Sequence, residues 1–361
     1  MSKSVRFRVT WLWWITGPVL AVLVTGLIVV AVRPVPYYTL SPGSVRSVEP
    51  LVTITAEGDG QELHEEAANE DLYFLTVTVR QPFGAEAIWA LTDDRIDIVQ
   101  RELVDGTQTR EENRRFNRSL MTSAKDKAAK VALERAGFVV PVHATGAVAI
   151  DVGPDLPVAE VLMPGDTIVG ADGSTVTSAE ELRAVIGGHE PGDGITLTIE
   201  PLGSTQRREV TTTLVERPDD PDQAMLGITL ESRPSYEFPI DVAIDSGEVG
   251  GPSAGLAFTL AILDRLTPGR LTGGERVAVT GTIELVGSGG RGGGVHQKTE
   301  AAISAGVKLM LVPPDEEVEA IEVADGRIQV RGVATLDEAL SALEALGGDR
   351  VPSAAELSSN R

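Results

Sequence analysis

From Val9 to Val32 the chain runs for 24 residues without a charged side chain. No other stretch restricts the fold as tightly. A helix of that length spans the roughly 30 Å hydrocarbon core of a bilayer, where every backbone polar group must be satisfied within the segment. Trp11, Trp13 and Trp14 suit the interface at one end. Lys3, Arg6 and Arg8 precede the run, which predicts a cytoplasmic N-terminus and an extracytoplasmic location for everything after Arg33. A cleaved signal peptide is the competing reading, but its apolar region would cover only roughly 7–15 residues and end at a small-residue cleavage site. This run is longer and ends in Arg33-Pro34-Val35-Pro36, so we read 9–32 as an uncleaved transmembrane anchor behind a cytoplasmic tail, 1–8.

With 361 residues there is room for two or three further domains. The 53 acidic and 31 basic residues give a formal charge of −22, which argues against a nucleic-acid partner. The absence of cysteine excludes a thiol nucleophile, disulfides and a Cys-based zinc site. No metal site is expected; the three acids in Arg217-Pro218-Asp219-Asp220-Pro221-Asp222 lack an accompanying histidine and read as a solvated linker.

Beyond the anchor, Leu51–Thr55 and Leu72–Val79 are β-rich, and the Trp89–Val104 segment has no clear period. Ala124, Ala128, Val131 and Ala132 predict a helix over 123–136, capped by Ser123 with Asp126 and closed by Gly137. Asn117-Arg118-Ser119 matches a glycosylation sequon, read as a chance match. After Phe138 come short strands and turn signals: Ala147–Val152, Pro164-Gly165-Asp166-Thr167-Ile168, the Asp172-Gly173 turn, a helix over 178–186 and Pro191-Gly192-Asp193. This segment, 136–217, resembles a PDZ domain, β-rich with two helices. The resemblance implies that an extended peptide adds to a strand edge and lodges its carboxylate in a backbone loop. That loop would be His143, Ala144, Thr145, Gly146 and Ala147, with the groove between strand 147–152 and helix 178–186.

The remaining chain alternates strands and helices: strand 239–245, helix 253–266, strand 277–285, a glycine tract over 287–294, helix 297–305, strand 307–312, a helix from Pro314, strand 328–333 and helix 335–346. Gly251-Pro252-Ser253-Ala254-Gly255 places a serine at a helix N-terminus, where free N–H groups and the helix dipole favour a developing negative charge. The same pentapeptide also fits a plain helix start. A serine nucleophile needs a positioned base. The nucleophile elbow of α/β-hydrolases would require a later histidine, and only His296 follows, with little room for the remaining strands. Two lysines follow Ser253, namely Lys298 and Lys308. Lys298 shares a helical face with Ala301, Ala302 and Ala305, and desolvation on such a stripe lowers an amine pKa toward neutrality. Snorkelling to solvent is the alternative for the same spacing. The glycine tract lacks the Gly immediately before Lys that a P-loop requires, so no ATP site is expected.

Residues 239–312 resemble the proteolytic domain of the Lon family of Ser/Lys endopeptidases. The matching pieces are Gly251-Pro252-Ser253-Ala254-Gly255, Thr280-Gly281-Thr282-Ile283, Gly293-Gly294-Val295-His296-Gln297-Lys298, Ala301-Ala302, Ala305-Gly306-Val307 and Leu311-Val312-Pro313. With the anchor and the PDZ segment, the chain resembles the membrane-anchored, PDZ-containing Lon-like proteases of bacteria. The class implied is α+β, with 218–347 as the α/β proteolytic domain, 37–135 completing the protease body, and 348–361 a disordered tail. The resemblance makes Ser253 the nucleophile, Lys298 the general base and Thr280 a hydrogen-bonding support for the lysine. Gly251, Pro252 and Ser253 would supply the oxyanion site. It also implies protein or peptide substrates, no cofactor and a hexameric ring. Three positions depart from the family: Gly250 replaces a frequent Asp, Arg291-Gly292 a frequent Pro-Ile, and His296 a common lysine. A catalytically silent PDZ adaptor built on a protease-like body is the alternative function.

Overall fold

A computed structural model describes residues 6–55, 70–105, 109–204, 206–284, 289–290, 293–353 and 356, with side chains at 6–15, 17, 27, 289 and 290 outside that set. The expected anchor lies in the helix Arg6–Val32. Lys3, and the side chains of Arg6, Arg8 and the three Trp residues, fall outside the described set. Among the described residues, no helix is long and apolar enough to cross a membrane.

The first body is built on one six-stranded sheet. Its order is Gln329–Gly332, Leu309–Val312, Val277–Val279, Leu72–Arg80, Tyr37–Ser47 and Asp97–Gln100. The first four strands run parallel and the last two pairings are antiparallel. Segments far apart in sequence therefore share one sheet, with 37–100 at one end and 277–332 at the other.

Alternation along the strands sends their side chains into two cores. Phe74, Val277, Val279, Leu309 and Leu311 face one way, against the helices Arg110–Arg135, Gly255–Leu266 and Leu336–Leu346. Leu75, Ala278, Met310 and Val312 face the other, against the helices Val295–Ser304 and Glu317–Ala324. Gly255–Leu266 is buried on all sides from Gly255 to Leu263, which explains its uninterrupted apolar composition. Phe258 meets Phe74 with ring centroids 5.8 Å apart.

Several expectations need correction. The helix predicted over 123–136 begins thirteen residues earlier, at Arg110, where Thr109 and Glu112 form a reciprocal capping box. Its first half is rich in Arg, Glu and Asn, so apolar spacing could not reveal it. Trp89–Val104 resolves into the end of a helix, Gly84–Ala90, a strand Asp97–Gln100 and most of a short helix, Arg101–Asp105. The strand predicted over 277–285 is split into Val277–Val279 and Thr282–Ile283, because Gly281 has a φ of 135°. The end of that strand and half of the glycine tract lie outside the described residues. The 348–361 tail begins with ordered packing: Val351 is buried, Asp349 accepts from the Arg270 amide, and Arg135 donates to the Pro352 carbonyl.

The second body is a sheet ordered Ile228–Tyr236, Val142–Val152, Thr167–Ala171, Gly194–Glu200 and Arg208–Thr213, with the helix Ala179–Ile186 packed on it. The other expected helix is a four-residue 3-10 turn, Pro157–Glu160. Asp172 and Gly173, at φ 48° and 77°, form the expected tight turn between paired strands. The supposed linker at 217–222 is part of a hairpin, Val215–Arg217 with Asp220–Met225. The boundary drawn at 217/218 is misplaced as well, because the edge strand of this sheet is Ile228–Tyr236, which follows that hairpin.

Candidate active site

The strand Val277–Val279 ends at Thr280, and the two helices that cover opposite faces of the sheet begin beside it. This is the carboxyl end of parallel strands, where α/β sheets collect their ligands. Ser253 does not open its helix. It lies in a turn two residues before Gly255, and backbone bonds clamp that turn from two directions. The Gly281 amide donates to the Ser253 carbonyl at 2.8 Å, and the Leu256 amide donates to the Gly281 carbonyl at 3.2 Å. From the other side, the Gly251 amide donates to the Asn117 carbonyl at 2.7 Å.

That last bond revises the expected oxyanion donors. Pro252 has no N–H, and the Gly251 N–H is committed to Asn117. Of the three residues proposed, the Ser253 amide is the remaining backbone donor. Asn117 also accounts for Gly250: a Cβ there would lie 3.0 Å from the Asn117 Cβ, so the long helix occupies the space an acid would need. The Asn117 side chain is itself engaged, donating to the Asn113 backbone and side-chain oxygens.

Lys298 comes from the opposite face of the sheet. Its helix starts after Gly293 and Gly294, both left-handed at φ 64° and 65°. A Cβ on Gly294 would fall 2.7 Å from Val77 Cγ2, so glycine lets the helix start press onto the sheet. The chain entering this helix is held by Glu316, 3% exposed, whose Oε1 accepts from the Gly293 amide at 3.1 Å. Gln297, one residue before the lysine, is buried and donates to Asp97 Oδ2 at 2.7 Å.

The two faces meet at the lysine amine. Lys298 Nζ donates to Ser253 Oγ at 3.1 Å and to Thr280 Oγ1 at 2.9 Å. Burial lowers the Lys298 pKa from 10.5 to about 8, against the opposing pull of the Glu316 carboxylate. An amine this close to neutrality exists partly unprotonated at physiological pH and can accept the serine proton. Thr280 fixes its direction, and its own amide is tied to the Leu311 carbonyl at 3.0 Å. His296, the base an α/β-hydrolase would require, precedes Lys298 by two positions; the side chain placed on Ser253 is that of Lys298. Sequence reasoning missed Asn117, Glu316, Gln297 and Asp97, which act through contacts more than 20 residues away in the chain.

The expected carboxylate loop is not a loop. His143, Ala144, Thr145, Gly146 and Ala147 belong to the strand Val142–Val152, where His143 faces Ser235, Ala144 faces Pro234 and Ala147 faces Ser232. Strand 147–152 is interior and cannot accept an added strand, since Ile228–Tyr236 lies outside it. The helix Ala179–Ile186 is tied to that outer strand. Arg183 donates to the Leu230 carbonyl at 2.8 Å, and the Ser232 hydroxyl accepts from the Ala179 amide at 3.0 Å and donates to Glu180 at 3.1 Å. Among the described residues, no cluster of His, Asp and Glu could hold a metal ion.

Residues 228–345 match the model of the Lon protease (S16) C-terminal proteolytic domain, and residues 117–212 match that of the PDZ domain. The first match opens on the strand that completes the second sheet, so family boundary and structural boundary differ by one strand. Among curated proteins, the chain is 30% identical over 154 residues to a Lon protease of Acinetobacter baumannii, covering 41% of this chain and 18% of that protein. It is 29% identical over 155 residues to a Lon protease of Phenylobacterium zucineum, covering 43% and 19%. A probable periplasmic serine endoprotease DegP-like of Halomonas elongata is 35% identical over 111 residues, covering 28% and 23%. The chain thus spans about a fifth of the length of these relatives. Among solved structures, the PDZ domain of the SdrC-like protein of Listeria monocytogenes shares 26% identity, over 24% of this chain and 87% of that one, at a TM-score of 0.22.

Proposed function

We propose that this chain, which joins a Lon-type proteolytic domain to a PDZ domain, is an ATP-independent serine endopeptidase with Ser253 as nucleophile and Lys298 as general base. The observation that carries this reading is the 3.1 Å contact between Lys298 Nζ and Ser253 Oγ, made by an amine whose pKa burial lowers to about 8. In the first step the unprotonated amine takes the Ser253 proton as Oγ attacks the substrate carbonyl. The resulting oxyanion is stabilised by the Ser253 amide and by the field of the following helix. When the tetrahedral species collapses, the carbon–nitrogen bond breaks and Lys298 returns the proton to the leaving amine. An acyl-enzyme on Ser253 remains. Water then enters by the same route, giving its proton to Lys298, and the freed carboxyl end departs as Oγ regains a proton.

Membrane attachment by the first helix is part of the proposal. Its 27 residues extend about 40 Å at 1.5 Å per residue. The helix Gly84–Ala90 sits against its end, with the Gly84 amide donating to the Arg33 carbonyl at 3.0 Å. There Ile88, Trp89 and Leu91 are 66%, 61% and 75% exposed, an apolar surface suited to a lipid interface. An extracytoplasmic protease would act on exported or membrane proteins.

The test is cleavage of an unfolded protein by wild type, Ser253→Ala and Lys298→Ala. Wild type should cleave, and each variant should lose at least about 10³-fold. Equal cleavage by all three overturns the dyad, and inactivity of all three favours a PDZ adaptor. Membrane attachment is tested by alkaline extraction of cell membranes, where release of the full chain into the soluble fraction would refute the anchor.

A further inference from the structure

Among the described residues, most of the large apolar side chains exposed beyond the first helix lie between 37 and 103. Phe83, Ile88, Trp89, Leu91 and Leu103 belong to this group, and Leu103 is 78% exposed. Backbone bonds gather their segments where the first helix ends. The Val35 amide donates to the Pro82 carbonyl at 3.1 Å, Pro34 pairs with Phe83, and the Arg101 amide donates to the Pro36 carbonyl at 3.4 Å. Gly84 packs so closely that a Cβ there would collide with the Val30 carbonyl. Nearby charges are paired with one another: Arg80 with Glu86, Arg95 with Asp93, and Arg101 with Asp105. Asp94 and Glu102 add negative charge, so the segment has no basic excess. Exposed apolar patches of this kind mark interaction surfaces. This one continues the exposed apolar side chains of the helix itself, such as Val22, Leu23 and Val30. A bilayer holding the helix is the occupant that covers both without a break.

Strand direction relates this surface to Ser253 and Lys298. Leu72–Arg80 runs toward the end of the first helix, where Arg80 lies opposite Thr39. It is parallel to Val277–Val279, with Phe74 opposite Val279. Thr280, which accepts from Lys298, follows Val279, so the serine–lysine end of the sheet points the same way as Arg80. Arg80 lies six residues beyond Phe74, about 20 Å at roughly 3.3 Å per residue. The lysine helix begins nearer still, with Gly294 against Val77. Gln297, the residue before the lysine, donates to Asp97 in the strand Asp97–Gln100, which separates Leu91 from Leu103 in sequence.

We infer that segment 83–103 rests on the bilayer beside the first helix, and that this seating turns the serine–lysine end of the sheet toward the lipid. The site then meets polypeptide close to the membrane: the stalk of a protein anchored in the same bilayer, near the point where it leaves the lipid. The inference rests on the membrane attachment and the peptidase reading proposed above.

Because the chain contains no cysteine, Leu91→Cys and Glu275→Cys each give the full-length protein a single thiol for a fluorescent probe. Leu91 marks the lipid contact, and Glu275, two residues before Val277, marks the opposite end of the sheet. In phosphatidylcholine vesicles, spin-labelled lipid should quench the probe at 91 at least twofold more than the probe at 275. Added salt should leave that difference in place, since the contact is apolar. Equal quenching, or a difference that salt abolishes, overturns the inference. If the chain floats with the vesicles and the probes are quenched alike, the anchor stands and the seating alone falls. A chain that does not float overturns both. Reach is tested with wild type in the same vesicles. A substrate whose unstructured segment directly follows its own membrane anchor should be cleaved at least tenfold faster than one carrying a rigid helical spacer of about 60 Å. Equal rates, or faster cleavage of the spaced substrate, overturn the juxtamembrane reach. If neither is cleaved and a soluble unfolded protein is also spared, the peptidase reading has failed, and the quenching still decides the seating.

Discussion

The serine and the lysine reach the same point by different means. Ser253 is placed by backbone: bonds to Gly281 and Asn117 hold its turn, and no side chain of that turn is involved. Lys298 is placed by side chains: Glu316 holds the entering glycine, Gln297 ties the helix to Asp97, and Thr280 orients the amine. Backbone clamps tolerate sequence change as long as nothing bulky intrudes. Side-chain clamps fail one residue at a time. The serine should therefore be sensitive to added volume and the lysine to lost polar contacts.

The sharpest way to break that contrast is Gly250→Asp, which pushes a Cβ into the Asn117 backbone and should cut kcat/KM by about a hundredfold. Thermal melting would verify that the variant remains folded. Activity near wild type would mean the serine turn is not held against the long helix. On the lysine side, Gln297→Leu keeps the volume and removes the donor to Asp97, and should lower kcat about tenfold. No change in kcat would show that the helix start is fixed without this contact.

Protonation gives a finer probe. With its pKa lowered to about 8, Lys298 loses its proton as pH rises through that value, so kcat/KM should rise across the same interval. The Glu316 carboxylate favours the charged amine. Glu316→Gln retains an acceptor for Gly293 while removing that charge, and should move the rising limb to lower pH. A shift to higher pH, or none, would separate Glu316 from the lysine.

The smallest effect on activity is expected at Glu49, 1% exposed beneath the serine helix. Burial raises its pKa from 4.5 to about 8, despite hydrogen bonds from Ser47 and the Leu72 amide. The folded protein thus keeps this proton while the unfolded chain releases it. Stability is fully present below about pH 4.5 and declines as pH rises to about 8. Glu49→Gln should leave cleavage unaltered and add stability on the order of 3 kcal/mol at pH 7, with little gain at pH 4. Equal urea midpoints for both proteins at pH 7 would contradict the raised pKa.

The meeting of Ser253 with Lys298 was legible because chemistry limits the options: with no cysteine and one downstream histidine, a serine near a glycine-rich helix start leaves few partners to choose from. Short elements with strong local signals were also readable, such as the Ser178 cap, where the hydroxyl accepts from the Glu181 amide, and the Asp172-Gly173 turn. Asn117 was not. It sits in a charged helix half without apolar period, and its role exists only where Gly250 and Gly251 approach it. The peptide groove was misassigned for a related reason. Strand order is a property of tertiary pairing, and no local pattern announces that Ile228–Tyr236 returns across a hairpin to cover the strand Val142–Val152.

The division of the two reacting groups between opposite faces of one sheet has a further consequence. On the proposed dyad, neither layer alone would contain a working nucleophile. In a chain whose lysine layer has not docked, Ser253 has no Lys298 amine beside it. On the proposed dyad, docking of the second layer would arm the site, and completion of the fold would itself be the safety catch.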